Sequence, residues 1–189
     1  MKTLETDRLM LRLWKETDVA DLFEYASDPQ VGPHAGWPVH ENMETSRMIV
    51  DRFIEDQDVY AIVLKSHHKV IGSLGVHDRK PDQAPENLIQ KEIGYVLNPH
   101  YWGQGLMTEA VKCVIKHGFE ALALDLIWCG YYHFNTRSKR VVEKCGFQYQ
   151  WTISKTLPLL DNQEVEQLYY NITKEGYFSN KARSKQNGK

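Results

Sequence analysis

Between Trp102 and Thr108 the chain reads WGQGLMT, and its two glycines stand where a strand-like run gives way to a helical one. The first N–H groups of an α-helix have no partner inside the helix, and the helix dipole adds partial positive charge there. Glycine lets the backbone approach a ligand closely. Gly103, Gly105 and the main-chain amides after them therefore form a turn suited to an anion, and to a diphosphate in particular. An ordinary strand–turn–helix corner carries the same two glycines, so the turn alone does not fix a ligand. A dinucleotide fingerprint would need glycine at Thr108, and a P-loop would need a Gly-Lys-Ser/Thr continuation; neither is present.

Other residues could do chemistry. Glu92 opens the strand-like EIGYVLN; it is either a proton acceptor or a carboxylate that faces solvent or pairs with a cation. His34, His77 and His133 can titrate near neutral pH. In HAGWPVHEN, His34, Trp37 and Pro38 are exposed-loop candidates for recognition, with simple loop packing as the alternative for Trp37. Cys113, Cys129 and Cys145 are odd in number and widely spaced, with no Cys-x-x-Cys. That pattern points to reduced thiols and a cytoplasmic setting, with Cys129 and Cys145 as buried inert groups. The eight histidines are scattered, so no metal site is expected.

These residues must be held by a sheet with helices. Alternation predicts strands over 8–14, 60–65, 70–76, 91–98, 126–134, 149–155 and 165–172. Three- and four-residue apolar spacing predicts helices from Thr17 or Asp18 as cap, over 41–55, over 105–119 and over 136–144, the last stopped by Gly146. Hairpins outnumber helical crossovers, so the sheet is mixed with helices on both faces, an α+β (mixed α/β) fold. The KPDQAPENL segment reads as a long hairpin loop.

At 189 residues and 42% hydrophobic content, the chain fits one domain with its own core. The expected division is a domain over 1–178 and a basic tail over 179–189. The tail holds four cations and no acid; without it 19 cations face 25 acids, a body charge of −6. An acidic body argues against direct nucleic-acid binding and leans weakly toward a cationic partner such as an amine. No apolar run approaches the roughly 20 residues of a membrane span, and MKTLETDRL is not a secretory signal.

YWGQGLMTEA followed by FNTRSKRVVEKCGF resembles the GNAT superfamily of CoA-dependent N-acetyltransferases. It is most similar to the branch that acetylates ribosomal-protein N-termini at serine or alanine. The opening LETDRLMLRLWKETDVADLFEYASDP and the EIGYVLNPHYWG strand share the likeness, which spans about Leu4 to Ile172. The resemblance implies a mostly antiparallel sheet of six to seven strands with a V-shaped splay. It implies acetyl-CoA as cosubstrate, its diphosphate on the amides of Gln104, Gly105, Leu106, Met107 and Thr108. Its pantetheine arm would lie along Tyr95, Val96 and Leu97, with Asn135 and Ser138 contributing side chains.

The resemblance also implies direct attack by a primary amine in a ternary complex, which needs a base and a donor for the developing oxyanion. Glu92 matches a base position, and the N–H of Val96 or Leu97 a donor. The family pattern is departed from at Met107, whose side chain must point away from the phosphates. Many relatives carry a tyrosine acid where this chain has Val142, leaving Ser138 or water to protonate the thiolate. The acceptor is then a protein N-terminus or a small amine (polyamine, amino acid, antibiotic), met by a monomer or homodimer. A catalytically silent CoA-binding sensor is the alternative.

Overall fold

The computed structural model describes residues 1–186. Eight strands form one sheet: β1 (Leu4–Glu5), β2 (Leu9–Arg12), β3 (Val59–Leu64), β4 (Lys69–His77), β5 (Gln90–Leu97), β6 (Leu126–Tyr132), β7 (Gln148–Leu157) and β8 (Gln163–Thr173). Their spatial order is β1-β2-β3-β4-β5-β6-β8-β7. Only β5 and β6 run parallel; every other neighbouring pair is antiparallel. The mixed sheet is thus as expected, but with eight strands in place of six or seven. The extra strand is two residues long and pairs Leu4 and Glu5 with Leu11 and Met10, too short to show alternation.

The helices are α1 (Val19–Ala26), α2 (Gly32–Ala35), α3 (Met43–Asp56), α4 (Leu106–Glu120), α5 (Thr136–Cys145) and α6 (Lys174–Gln186). Helices α1 and α3 bury Val19, Leu22, Tyr25 and Val50 against Ala61, Val63 and Val70 on one face of the sheet. Helix α4 buries Leu106, Ala110, Val111, Val114 and Ile115 against Ile62, Ile71, Leu74 and Ile93 on the other. Burial of apolar side chains on both faces drives this layering. Trp14 and Trp128 are core residues.

Two local expectations need correction. Asp18 makes no cap bond to α1. Its carboxylate instead receives two hydrogen bonds from Arg12, at 2.7 and 2.9 Å, and one from the Lys15 N–H. The loop after α1 contains the one-turn helix α2, whose short apolar content gives no periodicity. Helix α6 runs through residues 179–186 of the basic segment; residues 187–189 lie outside the described ones.

Candidate active site

Strand β5 pairs with β4 over Glu92–Leu97 but with β6 only over Gln90–Ile93, opposite Leu126–Cys129. Beyond the Ile93–Cys129 pair the two strands part, while β6 remains paired with β8 through Tyr132. The wedge between them opens a cavity of about 760 Å³. Gly94 and Gly130 are the first residues past the split, and both line it. A side chain at Gly94 would meet nothing within 4 Å, so this glycine keeps the wedge empty.

Alternation along β5 decides which backbone groups serve the wedge. Asn98 donates its N–H to Ile71 on β4, and the Val96 carbonyl points at Gly72 of the same strand. Val96 therefore bonds inward, and Tyr95 and Leu97 turn their main-chain groups toward the slot. Of the two N–H groups expected as oxyanion donors, Leu97's is the one so placed. The Leu97 carbonyl already accepts from Trp102 Nε1 at 2.8 Å, which fastens the following turn to the strand end.

That turn has φ +76° at Gly103 and +75° at Gly105, a left-handed conformation that favours glycine. Gly105 is the N-cap of α4 and supplies no side-chain cap. From outside, Arg8 donates to the Gln104 carbonyl at 3.0 Å and to Glu109 at 2.7 Å, and Thr6 also bonds Glu109. Burial would raise the Glu109 carboxyl, but the hydrogen bonds from Thr6 and Arg8 outweigh it and hold the group below the usual carboxylate range. The side chains thus brace the turn while leaving the cavity side to the main chain. The Met107 side chain is buried in the core.

Helix α5 forms the opposite bank. Arg137, Arg140 and Lys144 line the cavity, and the Arg137 guanidinium lies 4.0 Å from the Trp102 ring centroid. The spacing of three and four that puts these cations on one helix face is visible in RSKRVVEK, but the spacing alone does not say which ligand the face meets. The acidic body therefore contains a basic cleft.

Asn135 and Ser138 both line the cavity. Asn135 Oδ1 caps α5 by accepting from the Ser138 N–H at 3.0 Å, and its Nδ2 donates to the His34 carbonyl at 3.0 Å. Its carboxamide joins α5 to α2. Ser138 Oγ donates to Tyr95 Oη at 3.1 Å. Burial holds the Tyr95 phenol well above the ordinary tyrosine range, so it keeps its proton. The expectation for Tyr95 is a backbone contact alone; its side chain adds a protonated hydroxyl at the cavity. Val142 is fully in the core.

On the other side of the split lie Glu92, His34, Tyr132, Gln167 and Tyr169. Glu92 is buried and accepts from Arg79 Nε at 3.2 Å and Nη2 at 3.4 Å. Trp37 and Pro38 are not among the lining residues; the Trp37 ring packs beside Gly32 and His40. His77 binds Asp58, and His133 is exposed; neither lines the cavity. Cys129 lines it, with burial pushing its thiol up, and Cys145 is pushed up to about 12 by the same cause. Neither is an activated nucleophile. Among the described residues no group of three His, Cys, Asp or Glu could hold a metal, and no helix is long and apolar enough to cross a membrane.

A family description, the acetyltransferase (GNAT) domain, matches residues 8–148. The uncharacterized N-acetyltransferase p20 of Bacillus licheniformis is 33% identical over 155 residues, covering 78% of this chain and 83% of the relative. A GNAT-family acetyltransferase from Bacillus anthracis superposes with TM-score 0.81 at 26% identity, covering 92% of this chain and 99% of that one. The ribosomal-protein-S5-alanine acetyltransferase of Vibrio fischeri shares the fold, with TM-score 0.71 at 21% identity over 92% of this chain and 97% of its own. A split parallel pair, a glycine turn opening a helix, and these matches together place the chain in the GNAT acetyltransferase family, as an N-acetyltransferase.

Proposed function

We propose that the chain moves an acetyl group from acetyl-CoA to a primary amine by direct attack in a ternary complex, with a protein N-terminus as the first acceptor to test. The observation that carries this reading is the wedge between β5 and β6 running into the uncapped start of α4. The residues fit the cosubstrate's chemistry. The amides of Gly105, Leu106, Met107 and Thr108 would hold the diphosphate, and Arg137, Arg140 and Lys144 would face its phosphate charge. The slot-facing main chain of Tyr95 and Leu97 would pair with the pantetheine amides as an added strand does. When bound, acetyl-CoA supplies an acyl group activated as a thioester.

The remaining roles belong to this chain's own side chains. Glu92, directly or through water, takes the proton that an attacking amine must lose. Tyr95, backed by Ser138, holds a proton for the leaving thiolate at the place where Val142 offers none. The three free thiols suit a reducing compartment, the cytoplasm. A thiol-release assay with ribosomal-protein N-terminal peptides beside spermidine and amino acids, across pH 6 to 9, tests the proposal. Release of CoA with at least one amine supports it. Acetyl-CoA binding without release from any of them would favour the silent sensor.

A further inference from the structure

Two buried side-chain polar atoms that lack a partner among the described residues, His34 Nδ1 and Gln167 Oε1, belong to residues lining the same cavity. Gln167 is the more telling. It sits on β8, opposite Tyr132 of β6, and only 6% of it is exposed. Its carboxamide lies over Gly130, so near that a side chain there would collide with Nε2 at 2.6 Å. Gly130 is the first β6 residue past the split. The carboxamide therefore stands at the apex of the wedge, where the reacting groups must meet.

A buried hydrogen-bonding group left unpaired costs stability, and such groups in native proteins call for an explanation. Strand alternation places Glu92, Gly94, Gly130, Tyr132, Gln167 and Tyr169 on one face of the sheet. Glu92 there is paired with Arg79. Gln167 is the neutral member of this group with an unfilled acceptor, and its terminal torsion is soft enough to turn either Oε1 or Nε2 into the cavity.

We propose that Gln167 docks the acceptor amine, taking a hydrogen bond from its N–H and holding the nitrogen beside Glu92 at the split. The inference rests on the acetyl-transfer reading above. It assigns the acceptor's anchor to β8, a strand that holds none of the site residues expected from sequence.

Gln167→Leu keeps the volume and removes the acceptor; Gln167→Glu keeps an acceptor oxygen. The experiment measures three quantities for each: acetyl-CoA Kd by calorimetry, Tm, and kcat and KM for whichever of an alanine-initiated hexapeptide, alaninamide or spermidine the wild type uses fastest. The expected result for Gln167→Leu is kcat/KM lower by about tenfold or more, the cost of one hydrogen bond or somewhat above it. Its acetyl-CoA Kd should stay within about twofold and its Tm should not fall, since an unpaired group has been removed. Gln167→Glu adds a carboxylate on the face that carries Glu92, so it should recover only part of the loss and should shift the pH profile. Unchanged acceptor kinetics in Gln167→Leu would overturn the assignment. So would a lower Tm with weakened acetyl-CoA binding, which marks a structural role. Absence of thiol release from the wild type with every amine would instead remove the acetyl-transfer reading, and the assignment with it.

Discussion

The hydroxyls of Ser138 and Tyr95 lie 3.1 Å apart across the cleft, and Tyr95 in turn donates to the Ser138 main-chain oxygen at 3.2 Å. One residue stands on the splayed strand and the other on the first turn of α5, so the pair ties the two banks of the cleft together. Burial keeps the Tyr95 proton in place through the neutral range, and in the proposed reaction this is the proton passed to the leaving thiolate. Tyr95→Phe is expected to lower kcat by roughly 10²-fold, within the range of general acid catalysis, with acetyl-CoA Kd nearly unchanged. Wild-type turnover in that variant would return the proton to water.

Glu92→Gln separates a base from a structural carboxylate. Arg79 is exposed, so losing its partner costs little stability. The expected outcome is a kcat/KM at least 10²-fold lower near neutral pH, partly recovered at high pH where free amine is plentiful. A full-rate variant with an unaltered pH profile would reduce Glu92 to the Arg79 ion pair.

Gly105 tests the turn. A side chain there meets only Arg8 Nη2, at 3.8 Å, so alanine brings strain at φ +75° but no clash. Gly105→Ala should cost about 1–2 kcal/mol of stability, read from urea melts. Gly105→Asp sets a carboxylate beside the α4 amides and should weaken acetyl-CoA at least tenfold by calorimetry. An Asp variant that binds acetyl-CoA as the wild type does would remove the turn from the site.

Asn135→Ala should act on stability before affinity. It deletes the α5 N-cap and the bond to α2, an expected loss of about 1–2 kcal/mol. A melting temperature equal to the wild type's, together with weaker acetyl-CoA binding, would restore the direct cofactor role.

Alkaline stability follows from Tyr60. Its hydroxyl donates to the Lys2 carbonyl at 3.1 Å, and burial pushes its pKa up to about 12. The unfolded chain releases this proton near pH 10, the folded chain about two units later. The contribution is whole below pH 10 and fades as pH rises toward 12. Urea midpoints should therefore fall over that window, and Tyr60→Phe should lessen the fall. Identical pH slopes in both proteins would refute the assignment.

The site was legible where its signals are local. WGQGLMTEA carries a turn and the first helical turn within nine residues, so glycine placement and the three-four apolar spacing announce both without reference to the rest of the chain. EIGYVLN likewise declares a strand by itself. Asn135 is legible in the sequence as a residue of the site, but its helix-capping bonds are not. A carboxamide reads the same in sequence whether it faces a ligand or caps a helix, and its partners are Ser138 three residues on and His34 a hundred away.

What the linear order determined was the set of elements and the glycine corner, because apolar period and turn chemistry act over a few residues. What only the tertiary structure decided was where β5 and β6 part, which amides of β5 face the gap, and that Gln167 stands over Gly130. Strand pairing and register around the wedge are settled by packing between residues 35 to 47 apart in sequence, as Glu92 with Trp128 and Trp128 with Asn171 show. No window of sequence contains both sides of such a contact, so the wedge and its acceptor wall came into view only with the fold.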